Sequence, residues 1–177
     1  MNSYAIVSYL GGPVARFVDQ LRVDLSPGCG HRAHITVLSP RPLCCSSSEA
    51  VEFARPLVAQ FEPFDVRPGE VQEFADTKVI YISLVTGLPE FATMHDVLNT
   101  GVFEQVELYD YVPHLTLAQE LPPEAFERAL GISRRRWKEF GPAKPLRIEA
   151  LTFVQQQADG AWKDLAELGL GRVPAVG

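Results

Sequence analysis

His34-Ile35-Thr36-Val37 and His114-Leu115-Thr116-Leu117 are two copies of one pattern: histidine, aliphatic, threonine, aliphatic. With 4 histidines in 177 residues, chance supplies only about 0.16 His-x-Thr matches. β-Branched Ile35, Thr36 and Val37 predict a strand ending at Pro40, and residues 114–118 predict a second. Residues two apart on a strand share a face. His34 and Thr36 therefore project together, as do His114 and Thr116. Ile35, Val37, Leu115 and Leu117 face the opposite way, into a core. Two such strands side by side line a groove with two imidazoles and two hydroxyls.

That set of groups suits attack on a phosphodiester. Imidazole titrates near neutrality, so a pair can hold one neutral base and one charged acid. Threonine hydroxyls donate to anionic oxygens and stabilise the charge that develops on phosphate. Such a site needs no metal and no cofactor.

Outward from the motifs, strand and helix patterns alternate. Tyr4–Tyr9 reads as a strand, and Val14, Phe17, Val18, Leu21 and Leu25 recur at helical spacing until Pro27-Gly28-Cys29-Gly30 breaks the run. Ser46-Ser47-Ser48 offers an N-cap for a helix over 49–61. Strands are predicted over 64–74, 78–84 and 106–109, and helices over 89–99 and from Pro122 onward. One long strand over 146–156, a turn at Asp159-Gly160 and a strand over 161–168 form a final hairpin. The pattern is that of one mixed α/β domain.

Composition narrows the function. The chain is 46% hydrophobic, with a formal net charge of −6. An acidic surface disfavours duplex DNA, which is held by clustered Lys and Arg. No apolar run is long enough to span a membrane, and Met1 to Leu10 lacks the basic start of an export leader. Three cysteines, Cys29, Cys44 and Cys45, make a poor disulfide framework and point to a reducing cytoplasm. Together with His31 and His34 they are zinc-ligand types, yet the paired short spacings of structural zinc sites are missing.

The two motifs resemble those of the 2H phosphoesterase superfamily, in its bacterial 2′-5′ RNA ligase-like and cyclic phosphodiesterase branch. The second motif's setting, Tyr111-Val112-Pro113-His114-Leu115-Thr116-Leu117-Ala118, is similar to that family's aromatic-x-Pro-His-x-Thr-Leu-Ala pattern. So is the closing hairpin from Leu151-Thr152-Phe153 to Trp162. The first motif departs from many relatives in continuing as Leu38-Ser39-Pro40. The resemblance implies a two-lobed α/β (α+β) fold, with two mostly antiparallel sheets and outer helices around a central cleft. Residues 1–177 then form a single catalytic domain of two pseudo-symmetric lobes. It implies His34 and His114 as the acid–base pair and Thr36 and Thr116 as phosphate binders. The expected substrate is a 2′,3′- or 1″,2″-cyclic phosphate, or a 2′-5′ linkage, at a nucleotide or RNA terminus. A monomer acting in the cytoplasm is expected.

Tyr81, Arg41 and Phe153 are the further candidates for substrate contact. Tyr81 and Phe153 alternate on strands and either face the cleft or pack in the core, and Arg41 follows the first motif closely enough to reach phosphate. His31 is read as a solvated loop residue, His95 as a surface residue, Tyr111 as packing near the second motif, and Arg134-Arg135-Arg136 as a solvated helix end. Three readings compete: a metal-independent phosphoesterase, a non-catalytic nucleotide- or RNA-binding module of the same fold (or a 2′-5′ RNA ligase), and a zinc-dependent hydrolase or zinc-stabilised domain using Cys29, His31, His34 and Cys44 or Cys45.

Overall fold

The computed structural model describes residues 3–27, 30–158 and 160–171. Cys29 and Gly28 of the predicted break, and Asp159 of the predicted turn, lie outside them. Among the described residues, eight strands and four α-helices follow in the order β1 (Tyr4–Tyr9), α1 (Gly12–Leu25), β2 (His34–Arg41), α2 (Ser47–Ala59), β3 (Phe64–Phe74), β4 (Val79–Thr86), α3 (Leu88–Leu98), β5 (Leu115–Ala118), α4 (Pro123–Phe140), β6 (Leu146–Ile148), β7 (Ala150–Gln156) and β8 (Trp162–Gly169). A short 3-10 turn covers Gly101–Phe103. The strands form two four-stranded sheets, ordered β2-β1-β7-β8 and β5-β4-β3-β6. Each of these pairings is antiparallel. The expected mixed α/β class with two antiparallel sheets and flanking helices is what the chain adopts.

Local sequence accounts for most boundaries. Ser46 caps α2 in a reciprocal capping box with Glu49, whose carboxylate sits at the positive end of the helix. The apolar stripe of α1 buries Val14, Val18 and Leu21. Gly87 joins β4 to α3 with φ of 87°, where a Cβ would strain the backbone and collide with Val66. Pro40 lies within β2 instead of ending it, because it falls in the irregularity of an edge strand, between the Leu38–Ile6 and Arg41–Tyr4 pairs, where no ladder donor is needed.

Two further expectations are corrected. The stretch at 146–156 is two strands, not one. β6 pairs with β3 in the second sheet and β7 pairs with β1 in the first, with Glu149 alone between them. Residues 106–109 form no strand: Val106 and Leu108 alternate as a strand would, but no neighbour pairs with them and both are more than 90% exposed, at 93% and 91%.

One core joins the two sheets. Ile6, Ile35 and Val37 of the first share a buried cluster with Ile80, Ile82 and Leu115 of the second. α2 packs on β8 and α4 on β3. Among the described residues, no helix is long and apolar enough to cross a membrane.

Candidate functional site

The two motifs occupy equivalent places. β2 and β5 are each the edge strand of a sheet, and they pack against one another where the sheets meet. Residues 31–40 and 111–120 have the same burial sequence, position by position. Ile35, Val37, Leu115 and Leu117 are buried, while His34, Thr36, His114 and Thr116 are part-exposed, as the strand period predicts.

The imidazoles are held alike. Nδ1 of His34 bonds the carbonyl oxygen of Arg32, and Nδ1 of His114 bonds that of Val112, each at 2.6 Å. A carbonyl only accepts, so Nδ1 carries the hydrogen in both rings and Nε2 is the basic nitrogen of the neutral form. Burial, and after it the Arg22 guanidinium, push His34 down to about 4. Burial also pushes His114 below the ordinary imidazole value, with Arg22 adding to it and the bond to Val112 opposing. Both rings are therefore neutral bases at pH 7 in the free protein. Aromatic edges fix their planes: Tyr9 lies 6.2 Å from His34, and the stacked pair Phe74 and Tyr81 lies about 5 Å from His114.

Edge strands leave backbone groups without ladder partners, and here buried side chains satisfy them. Arg22 of α1 donates through Nε to the Thr116 carbonyl at 2.7 Å. Its terminal nitrogen donates to the carbonyls of His31 and Arg32, at 3.1 and 3.0 Å. The Arg32 oxygen is the one His34 also uses. The Tyr111 hydroxyl donates to the Thr36 carbonyl at 2.8 Å, and His95 Nδ1 donates to the Val37 carbonyl at 2.9 Å. His95 stacks on Tyr111, with ring centroids 4.1 Å apart, and its Nε2 lies 3.3 Å from Glu107.

Two hollows flank the motif strands. The first, of about 520 Å³, is lined by His34, His31, Arg22, Arg32, Tyr9 and Trp162 among others. The second, of about 710 Å³, is lined by His114, Phe74 and the loop at 105–112. Thr36 and Gln119 line both, and Thr116 lines the first. Each histidine thus opens on its own hollow, with Thr36 at the junction.

The remaining candidates fall elsewhere. Arg41 is buried, with its guanidinium bonded to Asn99, the Phe103 carbonyl and Glu107; it lines neither hollow. Phe153 is fully buried and stacks on Tyr4. Tyr81 is buried too, its hydroxyl on Gln72 and its ring against His114, so it walls the histidine without lining either hollow. His95, expected on the surface, is buried because its ring fills the space between α3, β2 and Tyr111. His31, expected in solvent, lines the first hollow edge-on to Trp162. Arg134 and Arg136 pair with Glu73 and Asp24. Among the described residues no group of three His, Cys, Asp or Glu could hold a metal ion; Cys29 lies outside them. Sequence reasoning missed Arg22, Arg32 and Tyr9. A lone arginine within the apolar stripe of α1 was the available signal for Arg22.

Comparison with known proteins bears on the family and the fold. The sequence profile of the 2′-5′ RNA ligase superfamily matches residues 11–160. A Bacillus mycoides protein with phosphoesterase in its name is 28% identical over 140 residues, covering 78% of this chain and 79% of that protein. A similarly named Bacillus thuringiensis protein aligns to the same extent. Among solved structures, E. coli LigT complexed with NADP+ superimposes with a TM-score of 0.64 at 11% identity, over 97% of this chain and 99% of that one. LigT with 3′-AMP gives 0.61 at 14% identity, over 97% and 99%. TT0787 of Thermus thermophilus gives 0.60 at 16%, over 96% and 98%.

Proposed function

The chain belongs to the 2′-5′ RNA ligase superfamily, and from that premise we propose that it is a metal-independent phosphoesterase, hydrolysing a cyclic phosphate or 2′-5′ diester at a nucleotide or RNA terminus. His34 and His114 are its acid and base, Thr36 and Thr116 bind the phosphate, and two pseudo-symmetric lobes make one catalytic domain. One observation carries the reading: two imidazoles on adjoining strands, each with Nδ1–H fixed on the carbonyl two residues before it and Nε2 left as the basic atom. A single packed histidine needs no such counterpart. LigT, which shares the fold, forms a crystalline complex with 3′-AMP, and this supports a nucleotide substrate.

In the reaction, Nε2 of one neutral histidine takes a proton from water as the water oxygen bonds to phosphorus. The bond from phosphorus to a ribose oxygen breaks, and Nε2–H of the other, protonated histidine delivers its proton to that oxygen. Threonine hydroxyls donate to the non-bridging oxygens as charge builds on them. Both rings are neutral in the free protein, so the acid histidine acquires its proton with the anionic phosphate, whose charge favours imidazolium.

The test is hydrolysis of nucleoside 2′,3′-cyclic phosphates and 2′-5′ dinucleotides in EDTA, with wild type beside His34→Ala and His114→Ala. Loss in both variants, by about 10²-fold or more, supports the reading. Wild-type turnover that persists in either variant overturns it. Binding without turnover of any diester favours the non-catalytic module, and joining of RNA ends favours the ligase.

A further inference from the structure

The two hollows differ in charge. The first carries Arg22 and Arg32 against one carboxylate, Asp164. The second is lined by Glu73, Asp76, Glu107 and Asp110, with no lysine or arginine among its lining residues. Its remaining wall mixes polar Thr36, Ser39, Thr77, Gln105 and Gln119 with apolar residues. Val106, Leu108, Tyr109 and Val112 are four of the exposed large hydrophobic residues of the described chain, and all belong to one loop. Exposed apolar side chains gathered in one place mark a binding surface.

The loop does not display them through laxity. Gln105 is bonded in both directions to Asn99, through its N–H at 3.0 Å and its carbonyl at 3.1 Å. Glu107 is bonded to Arg41 and Ser39, and Tyr111 to the Thr36 carbonyl. Residues 105, 107 and 111 hold the loop to the body of the protein, and Val106, Leu108 and Tyr109 between them face outward. Because His114 and Thr36 line the same hollow, whatever fills it continues directly from the reacting phosphate.

We propose that the hollow on the His114 side receives an uncharged nucleoside, the end of the substrate that carries no second phosphate, while any further phosphates lie toward Arg32. This rests on the phosphoesterase reading and adds a direction to it. The aromatic faces of Phe74 and Tyr109 suit the flat base. The carboxylates accept from ribose hydroxyls and amino groups. A second phosphate there meets Asp76 and Asp110, the lining carboxylates left over once Glu107 pairs with Arg41 and Glu73 with Arg134, and like charges brought together oppose binding. The volume, about 710 Å³, is in the range of small-molecule sites.

The probes are a 2′-5′ adenosine dinucleotide with its bridging oxygen replaced by methylene, so that binding is read without turnover, and the same compound with one extra phosphate at either end. Dissociation constants are measured by calorimetry. The expected result is that the extra phosphate weakens binding about tenfold or more at one end and not at the other. Asp76→Lys/Asp110→Lys closes that gap, and Leu108→Ser weakens the plain probe. The inference falls if both phosphates have the same effect, if the gap survives charge reversal, or if no probe binds. It also falls if Leu108→Ser converts a wild-type dimer to monomer in sedimentation, since the loop is then an interface. A gap without hydrolysis of the parent oxygen compound or of any nucleoside 2′,3′-cyclic phosphate overturns the hydrolytic reading alone. Hydrolysis without a gap overturns this inference alone.

Discussion

The Tyr111 hydroxyl donates to the backbone carbonyl of Thr36, 2.8 Å away, so the residue three places before the second histidine holds the strand that carries the first. Burial raises the Tyr111 phenol far above its ordinary value, which keeps the donor proton in place at every working pH. Tyr111→Phe removes that donor and leaves a carbonyl short of a partner. The expected loss is about 1–2 kcal/mol of unfolding free energy in a denaturant titration, together with a fall in kcat because Thr36 is less firmly placed. An unchanged kcat would show that the hydroxyl acts on stability alone.

Arg22 does two separable things. Its fork ties the Thr116 carbonyl to those of His31 and Arg32, and its charge lowers both motif histidines. Arg22→Lys keeps the charge and loses the fork, so stability is expected to fall while the pH profile stays in place. Arg22→Met loses both, and the profile of kcat/KM is expected to move to higher pH. If lysine moves the profile as far as methionine does, the charge is not its cause.

The pH dependence has a definite sign. His34 is depressed to about 4, and His31 and His114 are lowered too. The unfolded chain, with imidazoles near 6.5, binds these protons more readily than the folded one, so stability is full above about pH 6.5 and declines as pH falls toward 4. The profile of kcat/KM, which reports the free protein, is expected to peak on the acid side of 6.5. The profile of kcat lies higher, because bound phosphate favours the protonated ring. Melting temperatures and rates from pH 4 to 8 check both statements.

Arg41 separates a structural cation from a substrate contact. Its partners are Glu107, Asn99 and backbone. Arg41→Met is expected to remove about 3–5 kcal/mol of stability, as breaking a buried pair from one side does. KM for the folded fraction is expected to rise with that loss, because Arg41 holds Glu107 of the loop that lines the second hollow. A raised KM at unchanged stability would instead put Arg41 on the phosphate.

The motif histidines and threonines were legible because a period of two, a duplicated pattern and aliphatic anchors all agree. What surrounds them was not, for an identifiable reason. Arg22, Tyr111 and His95 act on backbone carbonyls of Thr116, Thr36 and Val37, and a carbonyl looks the same in every residue. Arg41 misled by position: proximity in sequence to the motif suggested phosphate, but the strand carries its side chain into the protein. Val106 and Leu108 alternate as strand residues do, and only the absence of a pairing strand distinguishes them. Leu146 to Gln156 reads as one strand, and no residue type announces that Glu149 moves the chain from one sheet to the other.

The strand order of the first sheet bears on how the protein is made. β3, β4 and β5 pair in chain order, so three strands of the sheet of His114 can assemble before β6 is made. β1 needs β7 on its far side, and β7 is translated long after. The nascent chain therefore carries the strand of His34 in a two-stranded ribbon with a bare flank for most of synthesis. That flank, like the side of β3 that awaits β6, is where an emerging chain of this protein is open to wrong pairing.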